Sequence, residues 1–220
     1  MASLARPAAD AKKVTTLPLQ RPSGRRDVLM RAVDLLITLP LLVFLSPALV
    51  AVGVLIRLNS PGPALFLQAR NGRHGRKFMV FKFRTMTAEA SRDRFIQATR
   101  SDPRVTRFGA FLRRTSIDEL PQLLNVLTGD MSLVGPRPHP VDLDDHFAPQ
   151  IPGYEGRFLV RPGITGLAQV RGHRGVTETV EAMTLRIQSD REYVRRASPI
   201  LNIFILIQTI FVVLRQKNAC

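Results

Sequence analysis

The 220-residue sequence has no tryptophan, only two tyrosines, and a single cysteine, Cys220, at its last position. One cysteine excludes internal disulfides and cysteine metal centres, and fits a reducing compartment. With no zinc or RNA-binding motif to accompany the few aromatics, the usual means of base stacking and base readout are missing. Acidic residues are scarce as well: 17 Asp and Glu stand against 32 Lys and Arg, for a net charge of +15. Such a chain calls for an anionic partner. Without readout groups, nucleic acid is set aside in favour of anionic lipid or a phosphorylated substrate. No signal peptide is expected, because the first apolar run starts late and lacks a small-residue cleavage site. There is no internal repeat.

What the chain does have is apolar residues, 45% of the total, and two long apolar runs. Residues 1–26 form a non-periodic arm carrying Arg6, Lys12, Lys13, Arg21, Arg25 and Arg26, read as a flexible basic segment. The first run, Leu35 to Ile56, is 22 residues without a charge. As a straight helix it would measure about 33 Å, against a hydrocarbon core of roughly 30 Å. Length alone favours a spanning helix. Two features oppose it. Pro40 and Pro47 each remove a backbone hydrogen bond and favour a kink. Basic residues also crowd both ends, with Arg25, Arg26 and Arg31 before the run and Arg57, Arg70, Arg73, Arg76 and Lys77 after it. The positive-inside rule can satisfy both clusters only if the segment enters and leaves by one face. The second run, Ser198 to Leu214, is interrupted by Asn202, Gln208 and Thr209 and reads as a helix lying in the interface.

The stretch that organises the rest is Arg113 to Pro138, RRTSIDELPQLLNVLTGDMSLVGPRP. Ser116 and Glu119 have capping-box spacing, and Thr115 and Asp118 offer it one residue earlier; the register stays open. Either way the adjacent carboxylates Asp118 and Glu119 are expected at a helix N-terminus, where the dipole favours negative charge. An ionised Asp beside arginines is a candidate nucleophile at phosphorus. The plainer alternative is a capped core helix buried through Leu120, Leu123, Leu124 and Leu127.

The run DELPQLLNVLTGDMSLVGPRP, with an arginine five residues before the Asp, resembles the signature of the bacterial sugar transferases, the monotopic polyprenyl-phosphate phosphoglycosyl transferases. KFRTM at Lys82 to Met86 and RPGITGLAQ at Arg161 to Gln169 resemble further parts of that pattern, and the likeness covers roughly residues 25–220. The resemblance implies a re-entrant helix broken at Ser46-Pro47. It also implies transfer of a sugar 1-phosphate from a UDP-sugar to polyprenyl phosphate, with Asp118 as nucleophile and Glu119 holding Mg²⁺ or orienting the nucleophile. Asp118 and Glu119 are thus the expected metal ligands. Arg113, Arg137 and Lys82 are the expected phosphate-binding cations, and Arg161 and Asp190 are added as site residues. The RGHRG loop at Arg171 to Gly175 and the ending QKNAC resemble members that start exopolysaccharide with a hexose 1-phosphate, which points to UDP-glucose or UDP-galactose. Larger relatives add a transmembrane bundle, so the chain reads as the minimal catalytic unit.

The expected fold is a mixed, helix-rich α/β domain around a small antiparallel sheet, associated with the membrane through the re-entrant helix and interfacial amphipathic helices. The divisions are an arm at 1–26, a helix–break–helix at 27–58, a cytoplasmic catalytic domain at 59–197, and an interfacial helix and tail at 198–220. Ala64 to Gln68 and Phe78 to Arg84 read as strands about a basic turn, 87–112 as polar helix with a turn at Asp102 to Arg104, Val141 to Gln150 as helix, and Glu178 to Arg196 as charged helix. The implied partners are a UDP-sugar, polyprenyl phosphate and membrane lipids, with no nucleic acid, and a homodimer is compatible. The implied place is the cytoplasmic face of a bacterial inner membrane. Two other classes remain as alternatives: a membrane-tethered binder of anionic lipid or nucleic acid, and a structural two-span protein.

Overall fold

The computed structural model describes residues 24–87, 102–173, 175 and 179–215. Residues 1–23 of the basic arm, most of the expected polar helix after residue 87, and Cys220 lie outside the described residues, while 24–26, expected in the arm, are the start of a helix.

Helix α1 is Gly24–Asn59, 36 residues with Pro40 and Pro47 inside it. The helix is continuous where a break was expected. Pro47 has no N–H for the Val43 carbonyl, but the Ser46 hydroxyl donates to that oxygen at 2.8 Å, so the freed acceptor is satisfied within the same turn. Among the described residues α1 is the one helix long and apolar enough to cross a bilayer. Its middle carries exposed Leu39, Val43, Phe44, Val50 and Val54.

Both ends of α1 are docked. Near the start, Asp27 pairs with Arg73 at 2.8 Å and Arg161 at 3.1 Å. Arg31 donates to the Val126 and Leu127 carbonyls, and Asp34 accepts from the Ser132 hydroxyl and the Leu133 amide at 3.0 Å each. Near the end, Ile56 is buried with Phe83 and Leu112, and Leu49 and Val52 pack against that group. One domain therefore grips the helix at two places 22 residues apart (Asp34 to Ile56), about 33 Å along a straight helix.

Strands β1 (Leu65–Asn71) and β2 (Lys77–Phe83) form an antiparallel hairpin about a 3₁₀ turn at Arg73–Gly75, in the register Leu65 with Phe83 and Asn71 with Lys77. After the turn at Pro103 and Arg104 come α2 (Arg107–Arg114), a 3₁₀ turn at Ile117–Glu119, and the short α3 (Gln122–Thr128). Strand β3 (Ser132–Val134), α4 (Val141–Phe147), β4 (Gly163–Thr165) and α5 (Leu167–Val170) follow, then α6 (Val180–Arg196) and α7 (Pro199–Arg215). The single antiparallel sheet expected is in fact two separate pairs, because β3 and β4 run parallel to each other and apart from the hairpin. Side chains do not fit between the β3–β4 connections. A Cβ on Gly163 would stand 2.0 Å from the Gly135 nitrogen, and one on Gly135 would stand 2.4 Å from the Arg161 carbonyl. Two glycines thus let the GPRP and RPGITG segments touch backbone to backbone, which fixes the loop that carries Arg137.

The main core joins Phe78 and Val80 of β2, Leu123 and Val126 of α3, Tyr193 of α6 and Ile205 of α7. In α7 two of the three polar residues face the domain. Asn202 is buried and accepts from the Tyr193 hydroxyl at 2.8 Å, while Thr209 contacts Thr165 at 2.7 Å. The reason is that these groups find partners inside, leaving Ile203, Phe204, Ile207, Ile210 and Phe211 outside.

Candidate active site

The expected capping box does not form. Ser116 does not start the following helix; it ends the preceding one. Its backbone is left-handed at φ 58°, its amide donates to the Arg113 carbonyl at 3.1 Å, and its side chain caps nothing. That is the position after a helix that glycine usually fills, so a serine there carries local strain. Thr115 likewise turns back, its hydroxyl donating to the Phe111 carbonyl at 2.9 Å. Asp118 and Glu119 therefore sit in a 3₁₀ turn between two helices, not in the first turn of an α-helix.

The two carboxylates have different surroundings. Glu119 is clasped: Arg137 donates through Nη1 to Oε2 at 3.0 Å and through Nη2 to Oε1, and Lys82 Nζ donates to Oε1 at 2.7 Å. Burial pushes the Glu119 carboxyl up, but Arg137 and Lys82 outweigh it and hold it well below the usual carboxylate range. Asp118 accepts no hydrogen bond among the described residues. Burial first, and the Glu119 charge second, raise it to about 6, against Lys82, Arg113 and Arg137. One acid is a fixed anion and its neighbour is a free one.

The supports come from distant parts of the chain. Lys82 projects from β2, whose open edge is held by the fully buried Asn125 of α3. The Asn125 Oδ1 accepts from the Phe81 amide at 2.9 Å and its Nδ2 donates to the Met79 carbonyl at 2.8 Å. Arg113 is steadied by its Nε bond to the Thr85 hydroxyl at 2.8 Å. Arg137 is held through its backbone, because the Arg157 guanidinium donates to the Arg137 carbonyl. Arg157 also pairs with Asp190 at 3.1 Å and Asp144 at 3.2 Å, in a buried cluster with His139 and Tyr154. Burial raises the Asp190 carboxyl to about 6 despite Arg157 and Arg186.

Of the residues expected from sequence, Asp118, Glu119, Lys82, Arg113 and Arg137 come together. Asp190 lies in the buried cluster behind Arg137. Arg161 is engaged elsewhere, its Nη1 on Asp27 and its Nε on the Gly129 carbonyl at 3.1 Å each. Sequence reasoning missed Asn125, Arg157, Arg186 and Gln68, and it noted Arg70 only among the basic residues after the apolar run and in the turn, whereas it lies in β1. Arg137's flanking prolines were the one signal that its loop is rigid.

For a divalent cation, no three of His, Cys, Asp and Glu converge among the described residues. Glu119 has both oxygens taken by cations, so it is poorly placed as a ligand. Asp118 has its oxygens free. This donor set fits a cation shared between one carboxylate and substrate phosphates, a common arrangement for magnesium.

The profile of the bacterial sugar transferase family matches residues 25–216. The chain belongs to that family. It is 47% identical over 189 residues to the UDP-glucose:undecaprenyl-phosphate glucose-1-phosphate transferase of Escherichia coli K12, covering 86% of this chain and 41% of that sugar transferase. To the Caulobacter vibrioides protein of the same name it is 48% identical over 210 residues, covering 93% of this chain and 79% of the relative. To the exopolysaccharide production protein PSS of Rhizobium leguminosarum it is 44% identical over 187 residues, covering 83% and 94% respectively. This sugar transferase chain thus spans about two-fifths of the Escherichia coli relative and most of the other two.

Proposed function

We propose that the protein transfers a hexose 1-phosphate from a UDP-sugar to polyprenyl phosphate by two displacements at phosphorus. The observation that carries this is the unlike pair at 118 and 119, a free carboxylate beside one locked by Arg137 and Lys82. Asp118 attacks the sugar-bearing phosphorus; the bond to the bridging oxygen breaks, and its electron pair leaves with UMP. The covalent aspartyl-phosphosugar is then attacked by a phosphate oxygen of the polyprenyl phosphate, which returns Asp118 as a carboxylate. Glu119 orients Arg137 and Lys82, and with Arg113 these cations neutralise phosphate oxygens. A Mg²⁺ ion on Asp118 and the diphosphate would supply further charge neutralisation. The donor we favour is UDP-glucose or UDP-galactose, as the names of the relatives support for glucose. Purified protein given UDP-glucose, Mg²⁺ and polyprenyl phosphate is expected to release UMP. Release of UMP only with UDP-N-acetyl sugars would overturn the donor, and no release with any sugar would overturn the reaction.

The same reading keeps both ends of α1 at the cytoplasmic face with its exposed middle in the near leaflet, and puts the exposed face of α7 in the interface. Support comes from the two docked ends of α1, since a straight spanning helix would carry one of them to the opposite membrane surface. Cys220 is the only thiol and serves as the reporter. In intact cells a membrane-impermeant maleimide is expected to miss Cys220, and to miss a cysteine placed at Ser3 in a Cys220→Ser background, while labelling both after lysis. Labelling of the Ser3 probe alone from outside would show that α1 spans.

A further inference from the structure

Four cations surround the two carboxylates: Arg70, Lys82, Arg113 and Arg137 against Asp118 and Glu119. With both acids ionised, two positive charges remain in excess at the pair itself, with Asp144 and Asp102 also acting on Arg70 and Arg113. The buried cluster behind shows no such surplus, with Arg157 and Arg186 against Asp144 and Asp190. A surplus of cations in a partly buried place is costly unless an anion arrives to meet it. Lys82 and Arg137 are committed to Glu119. Arg70 is not committed to any carboxylate: among the described residues none lies within ion-pair distance of it, and its buried Nε has no hydrogen-bond partner.

Its placement is defined. The hairpin register sets Arg70 opposite Phe78, Gln68 opposite Val80 and Phe66 opposite Lys82, so Arg70, Gln68 and Lys82 leave the same face. Arg70 Nη2 donates to the Gln68 side chain at 2.5 Å, and Nη1 donates to the Pro138 carbonyl at 2.9 Å, next to Arg137. Gln68 and Pro138 aim the guanidinium without neutralising it. Arg70 and Lys82 thus flank the fixed anion Glu119 from the two ends of one hairpin.

In-line displacement dictates what such a charge meets. In the first step the leaving phosphate of UMP departs on the side opposite Asp118. In the second step the acceptor's phosphate oxygen attacks the same phosphorus, also opposite Asp118, and the Asp118–phosphorus bond breaks with its electron pair returning to the carboxylate. The two phosphates therefore occupy one place in turn. We propose that Arg70 belongs to this shared phosphate subsite, binding first the nucleotide phosphate that leaves and then the lipid phosphate that arrives. This rests on the two-displacement reading above.

The test separates the two ideas. Without acceptor, wild-type protein should exchange labelled UMP into UDP-glucose; failure of that exchange would count against the two-displacement reading rather than against Arg70. With exchange in hand, Arg70→Gln is expected to raise the half-saturating concentration of UMP in exchange, and of polyprenyl phosphate in the full reaction, each by about tenfold or more, as loss of a charge-assisted phosphate contact would. Arg70→Lys keeps the charge and should stay within about threefold for both, with thermal unfolding recorded for each variant. The proposal is overturned if Arg70→Gln moves neither value, if it moves only one of them, or if Arg70→Lys falls as far as Arg70→Gln. The last result would reduce Arg70 to a brace for Pro138.

Discussion

Asp118→Asn is expected to abolish turnover and, at the same time, to make the protein more stable. Turnover is lost because an amide cannot act as the anionic nucleophile, so neither UMP release nor protein-bound label from labelled UDP-sugar should appear. The gain in stability follows from the raised Asp118 carboxyl. Its value of about 6 in the fold stands above the 3.8 of an unperturbed Asp, so the folded protein holds this proton more tightly than the unfolded chain does. Ionisation therefore costs stability. The penalty is absent below about pH 3.8, grows up to about pH 6, and is full above it, where it is on the order of 2–3 kcal/mol. The Asn variant should accordingly melt higher than wild type at pH 7–8, with the difference shrinking in acid. The same carboxyl sets the acid limb of activity: UMP release by wild type should fall in acid as Asp118 takes up its proton, and a Mg²⁺ ion on Asp118 should move that limb to lower pH. Wild-type activity in Asp118→Asn would end the covalent mechanism, and an unchanged melting temperature would separately refute the cost assigned to ionising Asp118.

Arg137→Met should be the next most damaging change, lowering the rate of UMP release by roughly 10²–10³, the usual effect of losing one strong donor to a developing oxyanion. It removes a phosphate-facing cation and also frees Glu119, leaving that half-buried anion to Lys82 alone. A diagnostic sign accompanies the loss. Arg137 pulls the Asp118 carboxyl down and Glu119 pushes it up. The acid limb should therefore move to higher pH in Arg137→Met and to lower pH in Glu119→Gln. Because the two side chains act as a pair, the double variant should lose less than the sum of the single losses. If the limb moves the same way in both single variants, the electrostatic coupling described here is wrong.

The motif from Arg113 to Pro138 named the residues that meet at the site because the chemistry is concentrated there: the acids, the preceding arginine and the proline-held arginine are all local. Its geometry was less legible. S-x-x-E spacing fits a helix start, but it fits equally a chain that has just left one helix, and only the left-handed backbone of Ser116 decides between them. The Ser46 hydroxyl as the partner of the Val43 carbonyl could be read directly, since both lie within one turn. The polar residues of α7 could not, because Asn202 meets Tyr193 of the preceding helix and Thr209 meets Thr165 of β4. Asn125 and Arg157 escaped notice for the same reason. Their function lies in what they hold across 44 and 20 residues of chain, the Phe81 amide and the Arg137 carbonyl, and no local pattern encodes that.

The docking of α1 has a consequence for where the protein can be divided. A chain cut after Asn59 would strand the Val126 and Leu127 carbonyls that Arg31 now meets, the Leu133 amide that donates to Asp34, and Arg73 and Arg161, which pair with Asp27. It would also remove Met30 and Ile56 from two hydrophobic clusters. The division expected between residues 58 and 59 is therefore not a folding boundary. Helix α1 and the residues after it share buried contacts at both ends of the helix, and a fragment beginning after Asn59 is expected to lose them.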